Sequence, residues 1–163
     1  MTETQPAQPQ ASEAIHNLPI RLAVDELSPR TNRMMNALDT ASRDTALDPA
    51  LLDVVRTRAS QINGCGYCVD MHSTDLANAD VSARKINTIA VWRESPFFDD
   101  RERAALELTE LMTRLPDGPV TDEAWARVAE HFTEQELADL VWVITVINAW
   151  NRLGATTHLW PLE

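Results

Sequence analysis

The spacing of apolar residues along this chain is helical. In the first half, apolar residues recur every three or four positions in two stretches, which is the period of one helix face. The first stretch begins near Pro29, and the second follows Asp48 and Pro49, a capping residue with proline at the first helical position. The segment 18–30 is predicted to be extended, because prolines punctuate it. The two apolar faces consist of Met34, Met35, Leu38 and Ala41, and of Leu51, Leu52, Val55, Ala59 and Ile62.

The second half continues in short helices with clear start signals. A helix is predicted from about Tyr67 to Ala79, and Ser82 can cap the next one, which covers 83–92. Three further helices are expected to open on side chains that accept hydrogen bonds from the first backbone N–H groups. These capping positions are Asp99 with Glu102, Thr121, and Thr133 with Glu136.

The segment from Thr133 to Gly154 is compatible with two structures. Its β-branched residues suit a buried strand, but about twenty residues without a helix breaker are longer than most strands. We therefore predict a helix that is apolar nearly all round and is buried in a bundle or at a subunit interface. The whole chain is predicted to be all-α, with about seven or eight helices.

Length, composition and charge narrow the class of protein. The 163 residues suggest one domain, and four glycines are too few for the turns of a β-sandwich. The net charge of −11 disfavours nucleic acid or an anionic membrane as the main partner. Apolar runs fall short of the ~18 residues of a membrane span, and the N-terminus lacks a secretory signal. We expect a flexible tail over 1–17, a helical domain over 18–163 and a cytoplasmic location.

Both cysteines of the chain lie in the stretch 62–72, INGCGYCVDMH. An asparagine–glycine pair is expected to end one helix there, so Cys65 and Cys68 fall at the N-terminus of the next, where the helix dipole favours a thiolate. His72 lies one helical turn after Cys68 on the same face. It can take the thiol proton or, once protonated, stabilise the thiolate.

Three other roles are open for the two cysteines. A structural zinc site needs four ligands, and this stretch offers three, while His16, His131 and His158 are scattered along the chain. A structural disulfide fits poorly with a cytoplasmic location and would close only a short loop. Two unreactive buried cysteines are the third alternative. The CxxC spacing and the nearby histidine favour redox chemistry over all three.

The stretch 51–79, LLDVVRTRASQINGCGYCVDMHSTDLANA, resembles the core of AhpD-like alkylhydroperoxidases, within the carboxymuconolactone decarboxylase superfamily. The segments 90–110 and 147–153 are similar to later signatures of the same group, so the resemblance covers roughly 18–153. It implies an AhpD-like helical bundle that assembles into dimers, trimers or hexamers. It also implies thiol peroxidase chemistry, which requires no metal or flavin cofactor.

The resemblance also implies roles for individual residues. The family pattern is a glutamate, eleven residues, CxxC, three residues and a histidine. By this pattern Cys68 is the peroxidatic thiol, Cys65 the resolving thiol and His72 the proton-relay residue. The sequence departs from the pattern at Asp53, which is one methylene shorter than the family glutamate. It also has Tyr67 where some members carry a second histidine.

The two departures allow more than one role. Asp53 either belongs to the proton relay or is a solvated residue that pairs with Arg56 or Thr57 on the polar face of its helix. Tyr67 is a poor base at neutral pH, because a phenol has a pKa of about 10, but it can still donate a hydrogen bond.

The expected reaction is the reduction of an organic hydroperoxide or hydrogen peroxide through a disulfide cycle. The resemblance suggests a dithiol reductant protein of the lipoyl or thioredoxin-like type. Lactone decarboxylation, which would not use a CxxC, and a redox-sensing or disulfide-exchange module are the alternatives.

The aromatic residues Trp92, Phe97, Phe98 and Trp150 either shape an apolar pocket or pack in the core or at an interface, and packing is favoured. The polar residues Asn148, Asn151 and Arg152 lie on a mostly apolar helix, where burial would oblige them to find partners. They either cap a neighbouring helix or line the pocket, and the structural role is favoured.

Overall fold

A computed structural model describes residues 19–158, which form eight α-helices and two 3₁₀ turns and contain no β-strand. The prediction of an all-α fold is confirmed, as is the choice of helix over strand for the last segment. The predicted tail over 1–17 lies outside the described residues. The helices are α1 (Val24–Leu27), α2 (Pro29–Arg43), α3 (Pro49–Asn63), α4 (Gly66–Asn78), α5 (Ala83–Asn87), α6 (Asp100–Thr113), α7 (Asp122–Ala129) and α8 (Glu134–Thr157), and the 3₁₀ turns span Ile89–Glu94 and Leu115–Asp117.

The central helix of the fold is α3, which packs against α4, α6 and α8. It buries side chains around most of its circumference, polar ones included. One apolar cluster joins α3 to α6 and α8, and a second lies between α3, α4 and the first 3₁₀ turn. Among residues 19–158, no helix is long and apolar enough to cross a membrane.

The predicted capping residues all open helices. Asp48 accepts a hydrogen bond from the Ala50 N–H, and Ser82 and Thr121 cap α5 and α7 in the same way. Asp99 with Glu102 and Thr133 with Glu136 form complete capping boxes. These signals are reliable because each satisfies backbone donors within its own turn.

Two predicted elements were wrong in detail. The segment 18–30 is not extended throughout, because backbone hydrogen bonds from Leu27 and Ser28 close the single turn of α1. The helix predicted over 83–92 ends at Asn87 and continues as a 3₁₀ turn. The backbone of this turn is kinked at Val91, where φ is −122°, and Ile89 and Trp92 on either side of the kink are both buried.

The predicted apolar face of α2 is largely exposed. Met34 is 61% exposed and Leu38 40%, and the neighbouring Trp142 of α8 is 55% exposed. Ala41 is also exposed, whereas Met35 is half-buried. The helix is therefore where the pattern predicts it, but the described residues leave much of its apolar face uncovered.

A buried carboxylate, Glu110, connects α6 to two other elements. Its Oε1 accepts hydrogen bonds from Arg58 Nε at 2.8 Å and from Trp92 Nε1 at 2.9 Å, and its Oε2 pairs with Arg93. Burial raises the pKa of Glu110, but the hydrogen bonds from Arg93, Trp92 and Arg58 outweigh it and hold the pKa below its ordinary value. The charged form thus stabilises the packing of α3 and the 3₁₀ turn on α6.

Replacement of Glu110 should destabilise the fold in a pH-dependent way. Glu110→Gln keeps the shape but removes the charge, and we expect about 2 to 3 kcal/mol of lost stability at neutral pH. Because the folded pKa is depressed, this stabilisation is present above the unfolded pKa of about 4.3 and is lost as pH falls below it. Urea unfolding at several pH values measures the difference, which should shrink in acid.

The matched control is Glu107→Gln, on the same helix. Glu107 pairs with Arg127 at 2.7 Å, but its side chain is 28% exposed, whereas that of Glu110 is 8% exposed. An exposed pair contributes little, so the loss should stay below about 1 kcal/mol. Equal losses in the two variants would contradict a special role for the buried carboxylate.

Candidate functional site

The two cysteines lie at the turn between α3 and α4. Gly64 ends α3 with a φ of 69°, in the left-handed region that glycine adopts without strain. Cys65 is the N-cap of α4, which begins at Gly66. Cys65 and Cys68 form a disulfide with a Cα–Cα distance of 5.4 Å. The predicted placement of both cysteines at a helix N-terminus is confirmed.

A buried network of amides fixes the end of α3, just before this turn. The Nδ2 of Asn63 donates to Asn148 Oδ1 and to Asn151 Oδ1, each at 2.9 Å. Asn151 in turn donates to Ser60 Oγ, and Asn148 donates to Thr113 Oγ1. The network ties α3 to α8 and α6, and its buried amide groups find the partners that burial requires.

The polar residues of α8 therefore have the structural role that was favoured for them. Asn148 and Asn151 hold Asn63, and Arg152 Nη1 donates to the backbone oxygen of Asn148 at 2.8 Å. None of these three residues lines the cavity that opens beside the cysteines.

The shorter carboxylate of Asp53 still reaches His72. The Nδ1 of His72 lies 3.1 Å from Asp53 Oδ1, across the interface between α3 and α4. The same oxygen lies 3.3 Å from Arg56 Nη1. His72 is 1% exposed. Asp53 thus contacts both the histidine and Arg56. The polar, solvated helix face considered for it is wrong, because Arg56 and Thr57 are both buried.

The surroundings of Asp53 favour its charged form. Burial raises the pKa of the Asp53 carboxyl, but the hydrogen bond and charge of His72 and the charge of Arg56 outweigh it, so the pKa lies below its ordinary value. A carboxylate only accepts hydrogen bonds, so Nδ1 of His72 must donate to it. In the neutral ring Nε2 then carries no proton and is available as a base.

A third carboxylate approaches the same histidine. Asp75 Oδ2 lies 3.9 Å from His72 Nδ1, too far for a hydrogen bond, and its side chain is 45% exposed. Oxygen and nitrogen atoms of Asp53, His72 and Asp75 lie within 4.8 Å of one another, so these residues form a group that could share a metal ion. A hydrogen bond between Asp53 and His72 accounts for their contact without one.

A cavity of about 300 Å³ opens beside the disulfide. Cys68, His72 and Tyr67 line it, whereas Cys65 and Asp53 do not. The two cysteines are therefore unequal: a molecule in the cavity meets Cys68, and Cys65 lies behind it. Both cysteines are buried: Cys68 is 4% exposed and Cys65 is 1% exposed.

The four aromatic residues that were considered for a pocket have three different surroundings. Trp150 lines the cavity. Trp92 and Phe98 belong to the second apolar cluster of the core, and Phe97 stacks under Arg84, whose guanidinium carbon lies 4.7 Å from the ring centroid. Packing is thus the role of three of the four.

A residue of the site that the sequence analysis missed is Gly154, near the end of α8. A Cβ built on it would lie 3.0 Å from Cys65 Sγ and 3.8 Å from Cys68 Sγ. The glycine thus lets α8 pack directly on the disulfide. Its sequence signal is a glycine inside a helix, where it costs about 1 kcal/mol relative to alanine and so suggests a packing reason.

Comparison with known sequences shows which family this chain belongs to and which proteins are related to it. The sequence profile of the carboxymuconolactone decarboxylase family matches residues 29–111. YdfG of Bacillus subtilis (strain 168) is 34% identical over 134 residues, which cover 82% of this chain and 91% of that protein. Both matches include the CxxC segment and the helices on either side of it, α3 and α4.

Comparison with solved structures gives the same architecture. A protein of unknown function from Agrobacterium tumefaciens, provisionally described as the antioxidant defence protein AhpD, has a TM-score of 0.85 and 31% identity and covers 89% of this chain and 100% of that one. A peroxidase-related protein from Ralstonia eutropha JMP134 with an AhpD core has a TM-score of 0.75, covers 86% of this chain and 75% of that one, and at 21% identity shows the fold alone.

The contact between Gly154 and the disulfide predicts an effect on redox stability. Gly154→Ala places a methyl group against Cys65 Sγ, and crowding of this kind costs about 1 to 3 kcal/mol. A bonded sulfur is held against the methyl, while a free thiol can rotate away. We therefore expect a reduction potential higher by roughly 20 to 60 mV, measured by equilibration with glutathione.

The control for this variant is Gly118→Ala, because a Cβ on Gly118 meets no atom within 4 Å. The helix propensity gained by Gly154→Ala acts on both redox states and so leaves the potential unchanged. An unchanged potential in Gly154→Ala would show that the glycine does not act on the disulfide.

Proposed function

Because this chain belongs to the carboxymuconolactone decarboxylase family and has an AhpD-like fold, we propose that it is a thiol-dependent peroxidase that reduces organic hydroperoxides or hydrogen peroxide. The observation that carries the proposal is that Cys68 lines the cavity together with His72, while its disulfide partner Cys65 does not. A substrate-accessible thiol next to a base, with a second thiol in bonding distance behind it, is the arrangement this chemistry needs.

The proposed cycle begins with the reduced protein. His72 takes the proton of the Cys68 thiol through Nε2, and Asp53 stabilises the resulting imidazolium through Nδ1. The thiolate attacks the distal oxygen of the hydroperoxide, the O–O bond breaks, and the sulfur becomes a sulfenic acid. The leaving alkoxide takes the proton from His72 and departs as an alcohol, or as water when the substrate is hydrogen peroxide.

The second half of the cycle closes and reopens the disulfide. The Cys65 thiol attacks the sulfenic acid of Cys68, the S–S bond forms, and the oxygen leaves as water. An external dithiol then returns both cysteines to thiols by exchange and is itself oxidised to a disulfide. The Cys65–Cys68 bond in the structure matches the oxidised end of this cycle.

Tyr67 has an auxiliary role in this proposal. Tyr67 lies between the two cysteines in the sequence and lines the cavity. Its phenol O–H can donate a hydrogen bond to a substrate oxygen there. It does not replace the second histidine of some relatives as a base.

The reductant, the location and the assembly of the protein are part of the same proposal. We propose a lipoyl or thioredoxin-like dithiol protein as the reductant, a cytoplasmic location, and assembly with further copies of this chain. The exposed apolar side chains Met34, Leu38 and Trp142 support self-association, because contiguous apolar surface of this kind often marks an interface.

The cysteine variants test the cycle directly. With cumene hydroperoxide and dihydrolipoamide, the wild type should turn over continuously, and Cys68→Ser should not. In the absence of any added thiol, Cys65→Ser should form one alcohol per protein and then stop, because its sulfenic acid has no thiol to react with. Reaction with dimedone, followed by mass spectrometry, should label Cys68 in that variant.

Each alternative function predicts a different result for the wild type and these variants. A lack of turnover in the wild type with any dithiol would end the peroxidase proposal. In that case a change of assembly on oxidation, measured by light scattering, would favour a redox-sensing module. Lactone decarboxylation retained in Cys68→Ser would favour the chemistry that gives the family its name.

The Asp53 relay predicts a change in the pH profile of turnover. Asp53→Asn removes the charge that stabilises the imidazolium, so turnover should fall roughly tenfold to a hundredfold, less than the loss of a general base itself. The apparent pKa of the Cys68 thiol should rise, and turnover should recover in part at higher pH. Asp53→Glu keeps the charge but adds a methylene between two packed helices, so it should lose less activity.

Asp75→Asn is the matched control for Asp53→Asn. It removes the same charge near the same ring nitrogen, but at 3.9 Å and from a half-exposed side chain. We expect less than about a threefold change, because solvent screens the interaction. An equal effect of the two variants would argue for general electrostatics instead of a relay. Thermal unfolding of both variants detects any loss of folding.

A further inference from the structure

The cavity beside Cys68 has two chemically different sides. One side is apolar and comes from α4 and α8, and the opposite side is polar and comes from α1 and α2. On α2 the polar residues are spaced by four, three and four positions, which places them on one helix face. The apolar side consists of Met71, Ile147, Trp150 and Leu153, and the polar side of Asp25, Asn32, Asn36, Asp39 and Arg43.

The charges on the polar side do not cancel. Asp39 Oδ2 pairs with Arg43 Nε at 2.9 Å, so these two largely neutralise each other. Asp25 Oδ1 is buried and has no hydrogen-bond partner among residues 19–158. A buried carboxylate oxygen without a donor is costly to leave unpaired. Asn32 and Asn36 can both donate and accept, so they leave the negative excess of Asp25 unchanged.

We propose that this cavity selects hydroperoxides with an apolar body and a positively charged nitrogen, and discriminates against carboxylates. The ammonium group donates to Asp25, the apolar body packs against Trp150 and Leu153, and the peroxide oxygens lie at Cys68. A volume of about 300 Å³ is at the small end of ligand pockets, which fits a small amine and not a long acyl chain. The inference rests on the proposed peroxidase function for the reaction, but not for the binding.

The charge preference is measured by binding, without a hydroperoxide. Three probes share one ring and differ in charge: benzylamine, benzyl alcohol and benzoate. Each is tested for protection of Cys68 in the reduced protein against iodoacetamide, with the alkylated peptide quantified by mass spectrometry. Benzylamine should give half-protection at a concentration at least roughly tenfold below that of benzoate, with benzyl alcohol between them.

Two variants separate Asp25 from the general acidity of the chain. The net charge of −11 attracts any cation, so the assay is run near physiological ionic strength, where distant charges are screened. Asp25→Asn should bring benzylamine to within about twofold of benzyl alcohol. Glu26→Gln, an exposed neighbour in the same turn that does not line the cavity, should keep the full preference.

The outcomes distinguish this inference from the proposed function. Selective protection by benzylamine without turnover of cumene hydroperoxide would contradict the peroxidase function and support the cation site. Equal protection by benzoate, no protection by any probe, or a preference that survives Asp25→Asn would overturn the cation site. Asp25→Ser serves as a second variant, and circular dichroism melts confirm that each variant is folded.

Discussion

The amide of Asn63 is the contact on which the geometry of the site depends. It is the last residue of α3, and its two N–H groups are both used to hold α8, through Asn148 and Asn151. Because the chain turns into the CxxC immediately afterwards, the position of this one side chain fixes where the cysteines start. Asn148 and Asn151 are buried, so a displacement of Asn63 is costly, because it removes hydrogen bonds from two buried amides at once.

Shared hydrogen-bond partners also hold Asp53 and His72, the residues proposed as the proton relay. Asp53 Oδ1 is contacted by Arg56 from its own helix and by His72 from the next one. Arg56 is 3% exposed, and a buried guanidinium needs a carboxylate as much as the carboxylate needs it. The contact with His72 therefore does not depend on side-chain length alone. Close packing of α3 on α4 brings the shorter aspartate within reach of the imidazole.

The sequence predicts the features that are decided locally. The caps at Asp48, Asp99 and Thr133 each involve residues within one turn, so their patterns are sufficient. The 3₁₀ turn after Asn87 and the turn of α1 were missed, because helix period alone does not record where core packing or backbone bonds change the winding.

Contacts across the chain are harder to predict. Asp53 and His72 are 19 positions apart, and Asn63 and Asn151 are 88 apart. Polar residues on an otherwise apolar helix indicated that Asn148 and Asn151 need partners, but no spacing rule names Asn63. The spacing of the residues shows the CxxC and its histidine, and the family resemblance suggests their separate roles, whereas the role of Gly154 depends on how closely two distant helices approach. The exposure of Leu38 likewise depends on what packs nearby, and not on its position in the pattern.

The residues proposed for the chemistry and those proposed for ligand selection lie on different parts of this fold. The first group lies on α3 and α4, and its Cys68 and His72 are buried. The polar wall of the cavity comes from α1 and α2, and within the described chain α2 buries only Ser42 while α1 buries no residue. Substitutions on that wall disturb few core contacts, so they cost little stability. Under the proposed function, the specificity of the cavity can therefore change through α1 and α2 while the disulfide, the histidine and the carboxylate keep their geometry.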